Sequence, residues 1–491
     1  MTMELRSGGV KSGIPTMTNP ATSEDLLALY DRAPLDRRYW TIFGLLAIGI
    51  ALDFFDFFIV GYLVAAVGPQ WHLTYGQSVA MLLSGGVGAI LGALAWGSFS
   101  DAWGRKKLLV AGTFICAAGS GAIALVPDGD WLLFTALRFI VGIGLAACAT
   151  PITTLSVELT PTRHRTLVTG LLVVFATVGS FLAALIAATL LGLLGWRGVA
   201  AVGVLPAATG VLFIFLLPES ARWLVAKGRF AEARTTVACT LGLPLDRVPL
   251  PAAKPAGEPG HSLAELLVRP RFFWLTIITW MGLATAAYGI YLWGPTIIAL
   301  LLKVPVAQAA HYFVYVALAG IIGKVLISWL AQKVGRKRVG EIQGYVGAVG
   351  LIVAGVCFPL TIGGFPVFIL ALVTTVFFLE GGASNLAPYI VEVYGVRLGA
   401  RSAGLSQAAN GVGKILGPLC LAVIAGADNP LSPQATADAV LPAFLFLGAC
   451  ALAVGLAFSL LGPETHGRPL TQGDYEQDTR AGVLEPVQGR S

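Results

Sequence analysis

Charged residues are scarce in this sequence. Asp, Glu, Lys and Arg make up 12% of the 491 residues, whereas hydrophobic residues make up 56%. A soluble protein of this length needs far more charge on its surface. The composition therefore excludes an ordinary soluble globular protein and favours one that lies largely within a lipid bilayer.

Residues that commonly bind metals are also few. The sequence has 6 Cys and 5 His, and none of them shows the spacing of a metal site. It contains no nucleotide-binding glycine loop with its lysine, and it lacks the H-E-x-x-H and G-x-S-x-G patterns of hydrolases. We therefore expect no metal, no cofactor and no enzymatic activity.

Apolar stretches long enough to cross a bilayer occupy most of the chain. Twelve are predicted, at 41–65, 78–98, 108–126, 132–155, 167–191, 197–217, 271–295, 308–331, 339–359, 366–390, 402–426 and 439–461. Most of the 32 Lys and Arg residues fall at the termini and on the connections of one side, as the positive-inside rule requires. Both termini are therefore predicted to be cytoplasmic, and the net charge of +6 reflects membrane topology rather than nucleic-acid binding.

Charged signatures recur at matching places in the two halves of the chain. G-S-F-S-D-A-W-G-R-K-K follows the second span, and V-G-R-K-R follows the eighth. E-L-T-P-T-R-H-R and E-V-Y-G-V-R-L-G-A-R follow the fourth and tenth spans, while P-E-S and P-E-T follow the sixth and twelfth. These repeats predict an all-α membrane protein with twelve transmembrane helices in two six-helix pseudo-symmetric bundles, an architecture typical of solute transporters.

Composition divides the chain into five parts. A polar linker separates the bundles, and its first residues predict a short helix lying on the membrane surface. The predicted parts are a disordered cytoplasmic N-terminus at 1–31, a first bundle at 32–217, a cytoplasmic linker at 218–270, a second bundle at 271–462 and a cytoplasmic tail at 463–491.

Two carboxylates in the first span are candidates for proton coupling. Charge inside a bilayer is costly, so that its presence indicates a function. Asp53 and Asp56 are three residues apart and therefore share one face of the helix. Repulsion and burial favour a neutral form of one carboxyl near neutral pH, which is what proton coupling needs. Asp56 is slightly favoured, and the alternative is a structural partner of a nearby cation.

Five further residues in the spans have a functional and a structural interpretation. Glu380 is a second protonation site or ligand contact, or a buried partner of a base in its own half. Lys414 suits a carboxylate substrate, unless it pairs permanently with an acid. Arg138 has a functional role or bridges helices. Asn385 binds substrate or satisfies a helix contact, and Lys324 is expected to snorkel to water.

Aromatic side chains on the first and seventh helices could stack on a planar ligand, although most such rings only pack. The candidate substrate-binding rings are Tyr288, Tyr291 and Trp293.

The charged connections carry candidate gating residues. Contacts among their acids and bases would hold one end of a transporter closed, and the alternative is that they only anchor basic loops. Because Gln332 replaces the aspartate in the second repeat, the gating contacts of that half are expected to be weaker. The candidates are Asp101, Gly104, Arg105, Glu158, Arg165, Glu392 and Arg401.

These motifs resemble the major facilitator superfamily over nearly the whole chain. Asp101, Gly104, Arg105 and Lys106 match its signature between helices two and three, and R-x-x-x-G-x-G at 138–144 matches its fourth helix. The second match implies a role of Arg138 in proton transfer or anion binding. P-E-S-A-R-W-L and P-E-T-H-G-R-P-L resemble the marks of sugar porters. The Asp-Phe-Phe-Asp run at 53–56 resembles the paired aspartates of aromatic-acid/proton symporters and related organic-acid carriers.

The resemblance implies a proton-coupled symporter of a small organic anion, in particular an aromatic or other carboxylic acid, that works by alternating access. Helix seven, 280–295, lacks the amides with which sugar porters bind hydroxyls. A sugar or polyol symporter, a drug-efflux antiporter and a non-transporting solute sensor are the alternatives. The expected partners are the substrate, protons and the bilayer, and the expected form is a monomer in a bacterial inner membrane.

Overall fold

The computed structural model describes residues 26–29, 35–250 and 264–466. The described part is almost entirely helical. The helices of the first half are α1 (Arg37–Gln70), α2 (Tyr75–Trp103), α3 (Arg105–Ile123), α4 (Trp131–Glu158), α5 (Arg165–Ala201) and α6 (Pro206–Leu216).

The linker region carries α7 (Ala221–Ala226) and α8 (Phe230–Leu241), where the sequence predicts one surface helix. A four-residue helix, α9 (Ala264–Leu267), precedes the second half. Most of the predicted N-terminal segment and of the predicted tail lies outside the described residues, although 26–29 is helical and Leu26 is buried.

The second half repeats the arrangement of the first. A two-stranded hairpin of β1 (Thr361–Ile362) and β2 (Phe365–Pro366), which the sequence does not predict, joins its third and fourth helices. The helices are α10 (Pro270–Leu301), α11 (Val306–Val334), α12 (Arg336–Val356), α13 (Val367–Ala425) and α14 (Pro433–Leu461). Gly395 breaks α13 into a first arm, Val367–Gly395, and a second arm, Arg401–Ala425.

The described residues contain eleven helical segments that are long and apolar enough to cross a membrane. One of them, Leu167–Leu216, has 50 residues, and Gly195 has a non-helical backbone inside it. At 1.5 Å per residue this segment is far longer than the roughly 30 Å bilayer core, so it contains two crossings. The protein is therefore a multi-pass membrane protein with the twelve crossings that the sequence predicts.

Polar side chains at the membrane ends start several of these helices. The Asp36 carboxylate accepts from the Tyr39 N–H at 2.8 Å at the start of α1. Thr74 and Gln77 form a reciprocal capping box at the start of α2, with distances of 3.0 and 3.2 Å. Such side chains satisfy N–H groups that the first helical turn leaves without partners.

The two bundles meet mainly through three pairs of helices: α1 packs against α10, α5 against α11, and α2 against α13, and α1 also makes a smaller contact with α11. One cluster of buried apolar residues extends from the first bundle into the second. A separate cluster, near the start of α1, contains only residues of the first half and of the linker region. The shared core therefore joins the bundles away from the G-R-K connections.

The connection between α1 and α2 touches the connection between α13 and α14. The Tyr75 N–H donates to the Asn429 carbonyl at 3.0 Å, and the Leu431 N–H donates to the Leu73 carbonyl at 3.0 Å. Gly61 lets α1 approach α10 closely, because a Cβ at this position would lie 2.8 Å from the Leu292 carbonyl oxygen. We call this contact between the bundles the Asn429 end, and the opposite end, at Gly104 and Gly335, the G-R-K end.

Candidate functional site

Asp56 lies in a fully formed ion pair in the first bundle. Its Oδ2 is 3.2 Å from Nη1 of Arg138 on α4, and both side chains are 2% exposed. The same Nη1 donates to the Asp56 carbonyl at 3.1 Å, and the Ser120 hydroxyl on α3 donates to Oδ1. Arg138 thus bridges α1 and α4, which is the structural alternative that the sequence leaves open.

Asp53, one turn earlier on α1, has a different environment. Its Oδ2 is buried and makes no hydrogen bond with any residue that the structure describes. Cys148 of α4 lies beside the carboxyl, and Asp56 is its acidic neighbour. In the described part of the chain, Asp53 is therefore the member of the pair whose charge no cation balances, although the sequence slightly favours Asp56 for proton exchange.

The second bundle contains its own buried ion pair. Lys324 Nζ on α11 is 2.9 Å from Glu380 Oε2 on the first arm of α13, with 8% and 17% of the two side chains exposed. The expectation that Lys324 snorkels to water is wrong, because its ammonium stays inside the bundle with a carboxylate partner. Glu380 thus pairs with a base of its own half, as the structural interpretation requires.

Lys414, on the second arm of α13, lies between the two bundles. Its Nζ is 4.9 Å from the ring centroid of Tyr288 on α10 and 5.8 Å from that of Phe57 on α1. Within the described residues Lys414 makes no ion pair at or below 4.0 Å, so neither Glu380 nor an aspartate neutralises it there. An ammonium over two aromatic faces can receive a carboxylate whose own ring stacks beside them.

The three predicted substrate-binding rings lie at different places. Tyr288 faces Lys414, whereas Tyr291 packs on Phe58 of α1 at 4.9 Å between ring centroids. Trp293 belongs to the Asn429 end, where its Nε1 donates to the Pro418 carbonyl at 3.0 Å. Phe57, which touches Lys414, is a site residue that the periodicity of α1 could not single out from its three neighbouring phenylalanines.

Glycine and glutamate together build the G-R-K connection of the first half. Gly104 has φ 102°, a backbone that favours glycine, and a Cβ there would collide with the Glu219 carboxylate. Glu219 Oε1 accepts from the N–H groups of Arg105 and Lys106 at 3.0 and 3.1 Å, and so caps α3. The Ser220 hydroxyl donates to Glu158 at the end of α4.

The second half repeats this network. Gly335 has φ 103°, and Glu464 Oε1 accepts from the Arg336 N–H at 3.0 Å. Thr465 Oγ1 donates to Glu392 at 2.7 Å, and the Arg336 side chain lies 2.8 Å from the same carboxylate. Glu219 and Glu464 were not among the predicted gating residues, although the paired P-E-S and P-E-T motifs mark both.

Other predicted gating residues have partners that the sequence does not indicate. Arg165 Nε donates to the Thr160 carbonyl at 3.3 Å. Arg401 Nη1 is buried without a hydrogen-bond partner in the described part of the chain, and Glu392 contacts Arg336 instead. The reason is geometric, because Arg336 begins α12 directly beside the end of the first arm. The side chain of Asp101 lies outside the described residues.

Asn385, predicted to bind substrate or satisfy a helix contact, lies with this second network. Its Nδ2 donates to the Arg336 carbonyl at 2.9 Å, while its Oδ1 is buried without a described partner. The structure thus places Asn385 at the G-R-K end, one turn away from Gly381 on the arm that carries Glu380.

Known proteins share both the sequence pattern and the fold. Residues 46–418 match the family model described as Major Facilitator Superfamily. The niacin transporter of Acinetobacter baylyi is 28% identical over 91% of this chain and 99% of its own length. A 4-hydroxybenzoate transporter of Pseudomonas aeruginosa is 32% identical over 42% of this chain and 46% of its own.

Among solved structures, the inward-open xylose transporter of E. coli shares the fold with a TM-score of 0.67. The match covers 89% of this chain and 99% of that chain, at 17% identity. The family model spans well over half of the sequence, and it agrees with the duplicated bundles and the paired G-R-K connections. The chain belongs to the major facilitator superfamily and is a transporter, not an enzyme.

Proposed function

We propose that the chain is a proton-coupled symporter of small aromatic carboxylic acids. The observation that carries this proposal is the Lys414 ammonium, which lies between the bundles, over two aromatic rings and without a described acidic partner. Its relatives include transporters of niacin and of 4-hydroxybenzoate, which agrees with a ligand that combines a ring and a carboxylate.

The chemistry of this place suits such a ligand. A carboxylate that meets Lys414 forms a charge-assisted hydrogen bond, which contributes about 1.5–3 kcal/mol. The rings of Phe57 and Tyr288 are 5.6 Å apart and nearly perpendicular, so an aromatic ligand finds both a face and an edge to pack on. Helix α10 offers no amide side chain near Tyr288, which disfavours a polyhydroxylated sugar.

Of the three proton-coupling candidates, Asp53, Asp56 and Glu380, we assign the proton exchange to Asp53. Asp56 is already balanced by Arg138, so protonation there would leave a buried arginine unpaired. Among the described residues no cation pairs with Asp53, so it can gain and lose a proton without breaking an ion pair. A neutral Asp53 then lets the substrate-loaded carrier reorient without moving an uncompensated charge through the bilayer.

The Asn429 end joins the two bundles, whereas each G-R-K network is tied within its own half, and this difference supports alternating access. We propose that the Asn429 end faces outward, and that both termini and the G-R-K end are cytoplasmic, in a bacterial inner membrane. The bundles, 32–217 and 271–462, would rock about the central site as separate bodies joined by the 218–270 linker. The G-R-K networks, each tied within its own half, would dock on one another in the opposite state, and the working unit is a monomer.

Counterflow in proteoliposomes tests the substrate assignment. The wild type is expected to exchange radiolabelled 4-hydroxybenzoate for unlabelled acid, and not for the neutral 4-hydroxybenzamide. Lys414→Ala should weaken the apparent affinity for the acid about 10–100-fold. Lys227→Ala, at an exposed linker position, is the matched control and should match the wild type.

Two results would reject the proposal. Binding of the acid without any counterflow would indicate a solute sensor. Exchange of sugars as fast as that of the acid would contradict the assigned substrate class. An equal loss of affinity for the acid and for the amide in Lys414→Ala would contradict it as well.

A further inference from the structure

Asn410 lies one helical turn before Lys414 on the second arm of α13. The two residues are four positions apart, and Gln407 lies three positions further back, so all three share one face of the helix. Lys414 and Asn410 are partly buried, whereas Gln407 is exposed. The sequence of this arm thus places a side-chain amide about 6 Å along the helix axis from the residue that is proposed to bind the carboxylate.

The face that carries Lys414 and Asn410 is not the lipid face of this arm. Val412, Leu419 and Val423 are exposed apolar residues of the same arm. They lie two, five and nine positions from Lys414 and therefore on the opposite side of the helix. Exposed apolar side chains of a membrane helix meet lipid, where an amide would be costly. The polar face, whose ammonium contacts rings of both bundles, therefore borders the space between them.

Glycines hold this arm against α10 and leave room beside the amide. A Cβ at Gly417 would lie 2.3 Å from the Thr285 carbonyl oxygen of α10, so the two helices touch there without side chains between them. At Gly411, next to Asn410 in the chain, a Cβ would meet no atom within 4 Å. Close packing on α10 fixes the position of the arm, and the open space at Gly411 admits a ligand beside the amide.

The amide of Asn410 is available to such a ligand. Its side chain makes no hydrogen bond within the residues that the structure describes. A side-chain amide donates through its nitrogen and accepts through its oxygen, so it can pair with a hydroxyl in either direction. When the bundles close around the substrate, this partly buried amide loses water, and a ligand that supplies the missing hydrogen bond is then favoured.

We propose that Asn410 is a specificity-determining residue, which hydrogen-bonds a polar group on the side of the aromatic ring opposite the carboxylate. This inference rests on the proposed function and narrows its substrate class to aromatic acids with such a group, a para hydroxyl for example. The carboxylate meets Lys414, and the ring packs on Tyr288 and Phe57. Two residues one turn apart on one face, roughly 5–6 Å along the axis, suit a ligand whose polar ends are separated by a ring.

Burial distinguishes Asn410 from Gln407 as the residue that selects the ligand. A site that hydrogen-bonds a ligand hydroxyl rejects the analogue without it, because the polar group of the site is then left unpaired. This penalty needs an amide from which water is excluded, as at the partly buried Asn410. Water replaces any hydrogen bond that the exposed Gln407 amide makes, so the same hydroxyl gains little there.

Equilibrium binding of 4-hydroxybenzoate and of benzoate to the purified transporter tests this inference. The wild type is expected to bind 4-hydroxybenzoate about tenfold more tightly than benzoate. In Asn410→Leu the two Kd values should become equal, with the Kd of benzoate no higher than in the wild type. Gln407→Leu removes the other amide of the same face and is the matched control, which should keep the tenfold preference.

Two further variants keep the test decisive. Asn410→Ala, which adds no bulk, should also lose the preference if Asn410→Leu binds neither acid. Lys414→Ala should weaken the binding of both acids alike and keep their ratio, because it removes only the carboxylate contact.

The inference and the proposed function fail in different ways. Equal affinity of the wild type for the two acids, a full preference in Asn410→Ala, or a preference lost in Gln407→Leu alone overturns the role of Asn410, while aromatic acids remain the substrates. Absence of binding of both acids to the wild type would instead reject the proposed function.

Discussion

Asp56 and Arg138 form a buried ion pair at 3.2 Å, and this pair separates the tasks of two carboxylates that lie one turn apart on α1. Asp56 is held by Arg138 and by Ser120, whereas Oδ2 of Asp53 has no described hydrogen-bond partner. A structural carboxylate and an exchangeable one should respond differently to the same substitution.

Asp53→Asn is expected to abolish uphill accumulation of 4-hydroxybenzoate while leaving counterflow intact, because only accumulation needs the proton to be released. Uptake into proteoliposomes with and without a pH gradient measures the difference. Accumulation equal to that of the wild type would show that Asp53 does not couple protons.

Asp56→Asn should act mainly on stability. It leaves the buried Arg138 without its counter-charge, a loss of about 3–5 kcal/mol. Thermal unfolding of the purified protein should show a clearly lower midpoint, and Arg138→Gln combined with Asp56→Asn should recover part of the loss. An unchanged midpoint in the single variant would contradict the structural assignment.

Tyr288 should contribute to binding through its ring rather than its hydroxyl. Tyr288→Leu is expected to weaken 4-hydroxybenzoate binding about threefold to tenfold, since a ring contact contributes about 0.5–1.5 kcal/mol. Tyr288→Phe keeps the face next to Lys414 and should bind nearly as the wild type does. Titration calorimetry compares the variants, and a larger loss in Tyr288→Phe than in Tyr288→Leu would assign the role to the hydroxyl.

The positive φ of Gly335 is expected to make this glycine irreplaceable. Gly335→Ala places a Cβ against the Glu464 carboxylate in an unfavourable backbone region, with a loss of about 1–3 kcal/mol. Gly404→Ala is the matched control, because a Cβ there meets no atom within 4 Å and helps the helix. Unfolding midpoints should fall for Gly335→Ala only; equal midpoints for the two variants would contradict the argument.

The hydroxyl of Tyr75 should hold the Asn429 end closed. It lies 2.6 Å from Thr436 Oγ1 across the two bundles, and Tyr75→Phe removes about 1 kcal/mol, which shifts the ratio of closed to open molecules about fivefold. Spin labels at Asp128 and Asp438, one on each bundle, should report a larger population of long distances. Tyr315→Phe, at an exposed ring, is the control and should leave the distance distribution unchanged. An unchanged distribution in Tyr75→Phe would show that the bond has no gating role.

The helices and the repeat are predictable from sequence because they depend on local composition. Apolar runs predict the spans, and the paired G-R-K motifs predict the two halves. Leu167–Leu216 is an example, because the sequence predicts two spans in it, 167–191 and 197–217, and the non-helical backbone at Gly195 lies between them.

Partners of the charged groups are not predictable in the same way. Asp56 pairs with Arg138 on another helix, and Lys324 pairs with Glu380 instead of reaching water. The packing of the helices decides with which of several cations each acid pairs. Glu392 likewise contacts Arg336 rather than Arg401. Glu219 and Glu464 are the exception, because the repeated P-E-S and P-E-T motifs in the sequence mark both of them.

Uptake of radiolabelled 4-hydroxybenzoate by proteoliposomes, driven only by an imposed inward proton gradient, tests the central claim most directly. Accumulation above equilibrium that collapses with a protonophore, and that is absent in Asp53→Asn and greatly reduced in Lys414→Ala, is the predicted result. Uptake that only equilibrates, with the same rate with and without the gradient, would contradict proton-coupled transport of an aromatic acid.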